Sequence, residues 1–152
     1  MMIWRRKYQP WTGWMLLLVA LAGGTLLLSS CSRQTAVAQS SPEATVRAFL
    51  SALANGSTKR AAEAFDLEGE ARASNEDWDS IPAGQRKLIL GRMIDQKAQL
   101  LAHWAENITQ EPDDIQMTVQ GSQATAVVRV NGVSMHLLLV KDGAVWRISG
   151  IG

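Results

Sequence analysis

The last third of the chain leaves little freedom in how it folds. From Asp114 the hydrophobic period is two, and four short runs, IQMTVQ, ATAVVRV, VSMHLLLV and AVWRISGI, follow one another with only Gly121-Ser122, Asn131-Gly132 and Asp142-Gly143 at the joints. Period two is the signature of a strand with one buried face. Parallel neighbours need a crossover of about a dozen residues or more, which these joints cannot supply. Four consecutive strands in an antiparallel meander therefore follow, with Asn131-Gly132 and Asp142-Gly143 as type I′ hairpin turns.

Ahead of the strands the period is helical. In SPEATVRAFLSALANG, Ser41 caps, Pro42 takes the first helical position, Glu43 sits in the first turn and Asn55-Gly56 stops the run. Val46, Phe49, Leu50 and Leu53 fall on one face of that helix. STKRAAEAFD reads as a short second helix, capped by Ser57 or Thr58 and burying Ala61, Ala62 and Phe65. LEGEARASNEDWDSIPAGQ, with Gly69, Pro82, Gly84 and many acids, reads as a long connection holding at most one helical turn around residues 75–80. QRKLILGRMIDQKAQLLAHWAENI restores the helical period through Leu90, Met93, Ile94, Leu101, Ala105 and Ile108, and Gly91 within it marks a kink or a close contact. Helices followed by a meander is an α+β order, with the helices packed on one face of a curved sheet.

The front of the chain is of another kind. Arg5, Arg6 and Lys7 precede an uncharged run over residues 15–28, the layout of an export signal. Residues 11–30 approach the ~20 a bilayer span needs, but Gly23 and Gly24 interrupt them, and the uncharged part falls in the ~10 to 14 range typical of signals. The pair Arg5-Arg6 fits a twin-arginine signal only loosely. Leu28, Ser29, Ser30 and Cys31 resemble the bacterial lipobox, in which a leucine and two small residues precede an invariant cysteine; serine stands at −1, where glycine or alanine is commoner. The resemblance implies a thioether to diacylglycerol on Cys31, cleavage before it, and acylation, typically palmitate, of the new amino group. Two or three chains at ~0.8 kcal/mol per buried CH₂ make a firm anchor.

Cys31 is the sole cysteine, so it has no disulfide partner, no metal-ligand cluster and no neighbouring general base. Residues 32–42, SRQTAVAQSSP, have linker composition. Ser32 stands where an aspartate would argue for retention at the inner membrane of a diderm cell. The expected organisation is a lipoprotein signal peptide at 1–30, a flexible tether at 31–41 and a single α+β domain at 42–152. The protein is then exported and lipid-anchored to the cell membrane or the outer membrane, with the domain facing the periplasm or the cell exterior. Without the leader, 12 basic side chains (the 15 less Arg5, Arg6 and Lys7) meet 14 acidic ones, a charge of −2. A mildly acidic domain with no basic stripe argues against nucleic acid as a partner.

PEATVRAFLSALANGSTKRAAEAFD and the closing GAVWRISGI resemble the nuclear transport factor two-like superfamily, with its cystatin-like cone, over residues 42–151, and especially small bacterial lipoproteins of that fold. Its members include isomerases, dehydratases, binding modules and dimers that meet through the sheet. The resemblance implies a cone and a choice of roles that only particular residues can narrow.

His136 shares one strand face with Ser134, Leu138 and Val140; if that face lines the cone, His136 can titrate there, and if it meets solvent or a second copy it is a polar residue on a sheet. Asp66 stands where some enzymes of the superfamily it resembles place a catalytic carboxylate, yet it also opens an acidic stretch with Glu68 and Glu70, as a solvated face does. Trp78, Trp104 and Trp146 are the candidate ligand-binding aromatics; Trp104 and Trp146 also read as core residues, and Trp78, between Asp77 and Asp79, sits on a connection. His103 belongs at the margin of its helix. Glu76, Asp77 and Asp79 lack the glycine and distal glutamate of a calcium loop, so no metal is expected. No nucleophile elbow, phosphate loop, dinucleotide fingerprint or zinc-protease motif occurs, and no cofactor is expected. The leading expectation is a non-catalytic domain that binds a small hydrophobic ligand or an envelope protein. The alternatives are an isomerase or hydrolase using His136 or Asp66, and a homodimeric assembly module paired through the sheet.

Overall fold

A computed structural model describes residues 39–110, 112 and 114–152, which lie in one compact unit, Ala36–Gly152. Residues 1–30, expected from the sequence to be a signal peptide, and Cys31 lie outside the described residues. The order is four helices, α1 (Pro42–Ala54), α2 (Thr58–Ala62), α3 (Leu67–Ser74) and α4 (Ala83–Asn107), then strands β1 (Asp114–Gln120), β2 (Gln123–Val130), β3 (Val133–Asp142) and β4 (Val145–Ile151). The strands form one antiparallel sheet in the order β1-β2-β3-β4, so the fold is α+β with the helices first.

Local chemistry accounts for the start and stop of α1. The Ser41 hydroxyl accepts from the Ala44 N–H at 3.2 Å, Pro42 needs no partner at the first position, and Arg47 pairs with Glu43 one turn back at 2.9 Å. Gly56 takes φ +66° just beyond the end, a conformation glycine adopts without steric cost. The face of α1 that carries Val46, Phe49, Leu50 and Leu53 is fully buried.

The segment after α2 differs from the expectation of a long connection. Asp66 accepts from the Gly69 N–H at 3.1 Å and caps α3, whose Leu67 and Ala71 are buried one turn apart. Glu68 and Glu70 lie in its first turn and Arg72 in its last, all favourable to the helix dipole. Gly69 is therefore no breaker: a Cβ there would overlap the Asp66 carboxylate, lying 2.7 Å from its Cγ. A 3₁₀ turn over Trp78–Ser80 then leads into α4. Within α4, Gly91 has open space about it rather than a close neighbour.

The turns sort into two kinds. Val130 pairs with Val133, and Asn131 and Gly132 have φ of +51° and +78°, as a type I′ turn requires. Asp142, by contrast, pairs with Val145, so the loop residues are Gly143 and Ala144, and only Gly143 has positive φ (+57°). This is a glycine-first hairpin, one residue later than expected. Asn131 also donates from Nδ2 to the Asn107 carbonyl at 2.8 Å, so the β2–β3 turn satisfies an end carbonyl of α4.

Ala124, Ala126, Val128 and Val130 of β2, Met135, Leu137 and Leu139 of β3, and Trp146 and Ile148 of β4 point into one core with α1, α2, Leu67, Leu101 and Ile108. Phe49 and Phe65 meet edge to face at its centre, with ring centroids 5.7 Å apart. Every α4 residue expected on the inner line belongs to this core or packs on it. The opposite sheet face carries Thr125, Arg129, Ser134, His136 and Leu138, all exposed.

The free side of β4 is covered by two short bridges. The Asp66 N–H donates to the Ile148 carbonyl and the Ile148 N–H to the Ala64 carbonyl, both at 2.8 Å. The Trp146 N–H donates to the Gln39 carbonyl at 2.8 Å. The reciprocal rung passes through a side chain: the Gln39 N–H donates to Thr45 Oγ1 at 2.9 Å, and that hydroxyl lies 3.1 Å from both the Trp146 and Ser41 carbonyl oxygens. Gln39, three positions before Pro42 and the first described residue, is thus already fastened to β4.

Candidate functional site

The bridge between residue 64 to 66 and β4 fixes the α2–α3 junction beside the β3–β4 hairpin, with α4 running alongside. These three segments enclose a groove of about 330 Å³ lined by Glu63, Phe65, Asp66, Leu67 and Glu68 from the junction, Leu90 and Ile94 from α4, and Asp142 and Arg147 from the hairpin. Phe65, Leu67, Leu90 and Ile94 supply an apolar floor, and the remaining five supply a charged rim.

The rim is held largely by its own contacts. Arg147 Nε lies 3.2 Å from Asp142 Oδ2 across the hairpin. Arg72 spans from Glu68 at 3.0 Å to Asp79 at 3.3 Å, and Arg86 adds a longer contact to Asp79 at 3.6 Å. Lys97 places its ammonium 5.0 Å from the centre of the Phe65 ring and pairs with Glu70 at 3.1 Å. Between α2 and α4, Lys59 meets Asp95 at 2.8 Å. The hydrogen bond and charge of Asp95, with a smaller contribution from Glu63, hold the Lys59 ammonium above its ordinary pKa.

Among the candidate site residues named from the sequence, Asp66 alone lines this groove. It does so while capping α3, which occupies one carboxylate oxygen. His136 is exposed on the outer sheet face opposite Val127, and its backbone exchanges hydrogen bonds with Gly152. His103 is exposed beside Glu106 on α4. The three tryptophans do not gather around one cavity. Trp146 is buried in the core and Trp104 packs half-buried against it. Trp78 is only 2 % exposed, apart from that core, and its Nε1 is the one buried side-chain polar atom without a hydrogen-bond partner among the described residues. The expected loop aromatic is thus enclosed, at the start of a 3₁₀ turn that lies beside α3.

Sequence reasoning passed over most of the groove. Leu67 and Glu68 belong to a helix read as connection, Asp142 was seen only as a turn residue, and Arg147 only as part of the last strand. The available signal was Asp66 followed by Gly at the third helical position, which marks a capped start and hence a wall.

Chemically, the lining offers carboxylates, one guanidinium and apolar surface; it contains no His, Cys, Ser, Thr, Tyr or Lys. Among the described residues no group of three or more His, Cys, Asp or Glu side chains is arranged to hold a metal ion, and no helix is long and apolar enough to cross a membrane. Compared with protein-family models, curated proteins and solved structures, the chain matches none.

Proposed function

We propose that this chain is an exported lipoprotein, held to the membrane through Cys31, whose domain binds a ligand at the cell envelope without catalysis. We assign the domain to the nuclear transport factor two-like, cystatin-like type, on the strength of helices preceding an antiparallel meander and of the sequence resemblance over residues 42–151. The observation that carries the binding reading is the groove itself: an apolar floor with a charged rim whose lining holds no His, Cys, Ser, Thr, Tyr or Lys. His136, the best acid–base candidate in the sequence, lies on the exposed sheet face away from that groove.

The tether supports a position close to the bilayer. Gln39, which is bonded to β4, lies eight residue steps beyond Cys31, and at ~3.3 Å per extended residue these reach ~26 Å at most. Labelled palmitate supplied to cells expressing the protein should enter the wild type and not Cys31→Ser, which should leave the membrane fraction. A Cys31→Ser variant that still fractionates with membranes refutes the anchor.

A second reading, pairing of two copies through the sheet, draws support from Leu138, half exposed at 50 % on the outer face beside Val127 and Val140. Sedimentation of the wild type against Leu138→Lys distinguishes a dimer from a monomer.

A further inference from the structure

We infer that the outer edge of β1 pairs with β1 of a second copy of this chain, joining two four-stranded sheets into one. This goes beyond the ligand reading and does not rest on it. The two edges of the sheet differ. Beyond β4, Gln39 and Ala64 accept the outward N–H groups of Trp146 and Ile148. Beyond β1, no described residue pairs with the strand.

The register identifies the groups left open. β1 and β2 close on Gln120 and Gln123 with a two-residue turn, and such a turn ends in a hydrogen-bonded pair. Antiparallel partners alternate and the β1–β2 register is unbroken, so Asp114, Gln116, Thr118 and Gln120 bond to β2. The N–H and C=O of Ile115, Met117 and Val119 therefore point away from the sheet. The same alternation, counted from the Asp142–Val145 pair, turns the N–H groups of Trp146 and Ile148 outward, where their acceptors are found. Natural edges are guarded by shortness, lysine, proline or a bulge, whereas DIQMTVQ is seven residues long with no lysine, proline or bulge.

The strand also fits itself. With two copies antiparallel about Met117, Ile115 faces the partner's Val119 and Met117 faces the partner's Met117, so every outward N–H and C=O of these three residues finds a partner. A register shifted by two residues leaves Ile115 or Val119 without a strand residue opposite. The side chains of these residues lie on the same face as the buried Ala124 and Leu139, yet Val119 is 52 % exposed and Ile115 and Met117 are only half-buried. Pairing continues this apolar row across the joint and covers Val119. On the other face Gln116 meets the partner's Thr118 and Asp114 meets the partner's Gln120, so no two charges oppose each other.

The test uses the full chain. Sedimentation over a range of concentrations should show a dimer that dissociates on dilution. Val119→Pro removes an outward N–H at an edge that tolerates proline, so circular dichroism should be unchanged while the dissociation constant rises roughly tenfold or more, two bonds being lost per dimer. Leu138→Lys, on the outer sheet face, should leave this dimer intact. In Met117→Cys, mild oxidation should link two copies, because hydrogen-bonded partners hold their Cα atoms about 5.5 Å apart, within disulfide reach. Wild type controls for Cys31, and Leu138→Cys reports pairing through the sheet face. A monomer at every concentration, or a dimer unaffected by Val119→Pro in its folded state, overturns the proposal. A dimer lost in Leu138→Lys and kept in Val119→Pro overturns it in favour of the sheet face. If Val119→Pro does not fold, the thiol decides: a Met117→Cys link no stronger than that of wild type or Leu138→Cys overturns the edge.

Discussion

Replacing Thr45 by valine tests how the start of the domain is fastened to its last strand. Thr45 is fully buried, and its hydroxyl is the middle of a rung: it accepts from the Gln39 N–H at 2.9 Å and reaches the Trp146 carbonyl at 3.1 Å. Valine fills nearly the same volume, so the change isolates the hydrogen bonds. The Ser41 carbonyl keeps a partner, because the Thr45 N–H also donates to it at 3.1 Å. The Gln39 N–H and the Trp146 carbonyl lose theirs. Each buried group left unpaired costs about 1–3 kcal/mol, but Gln39 is only half buried and water reaches part of it, so the loss is about 2 kcal/mol. Thr45→Ser keeps the hydroxyl and removes one buried methyl, at about 1 kcal/mol.

Urea unfolding followed by tryptophan fluorescence should therefore rank wild type above Thr45→Ser above Thr45→Val. With an m-value of about 2 kcal/mol/M the valine midpoint falls by about 1 M. Its melting temperature falls by roughly 8 °C, at about 4 °C per kcal/mol for a domain near 100 residues. A valine variant as stable as wild type, or more stable than the serine variant, refutes the rung.

Two glycines should respond with opposite sign. Gly91→Ala, in open space within α4, should raise stability by about 0.5–1 kcal/mol, whereas Gly69→Ala displaces the Asp66 carboxylate and should lower it by about 1 kcal/mol, both read from urea midpoints. Lys59 should titrate above its ordinary value by NMR and return toward it in Asp95→Asn. Because its folded pKa is raised, the α2–α4 pair is present at neutral pH and is lost as pH climbs through that raised value; salt-sensitive stability that disappears at neutral pH contradicts this.

The meander was legible because period two and short joints leave one strand order, while the β3–β4 turn fell one residue beyond the Asp142-Gly143 pair that marked it. The α1 helix was legible because cap, proline and apolar face all agree. The α3 helix was not, since Gly69 carries poor helix propensity on its own, and the reason for the glycine, room for the N-cap carboxylate three residues earlier, exists only once Asp66 is placed. The groove was hidden for a different reason: its lining comes from three segments separated by some twenty to fifty residues. Pattern along a chain reveals which face is buried, not which distant faces meet. Trp78 was misjudged from its acidic neighbours, which do reach solvent while the indole between them does not.

The bond from Asn131 to Asn107 limits how this chain can drift during evolution. A type I′ turn accepts asparagine, aspartate or glycine at its first position with little loss. Here the same residue must also give a proton to the last carbonyl of a 25-residue helix. Aspartate keeps the bend and turns a donor into an acceptor facing another acceptor; glycine keeps the bend and has nothing to give. One backbone requirement and one side-chain requirement leave a single amino acid that meets both, so position 131 is narrower than any turn rule states.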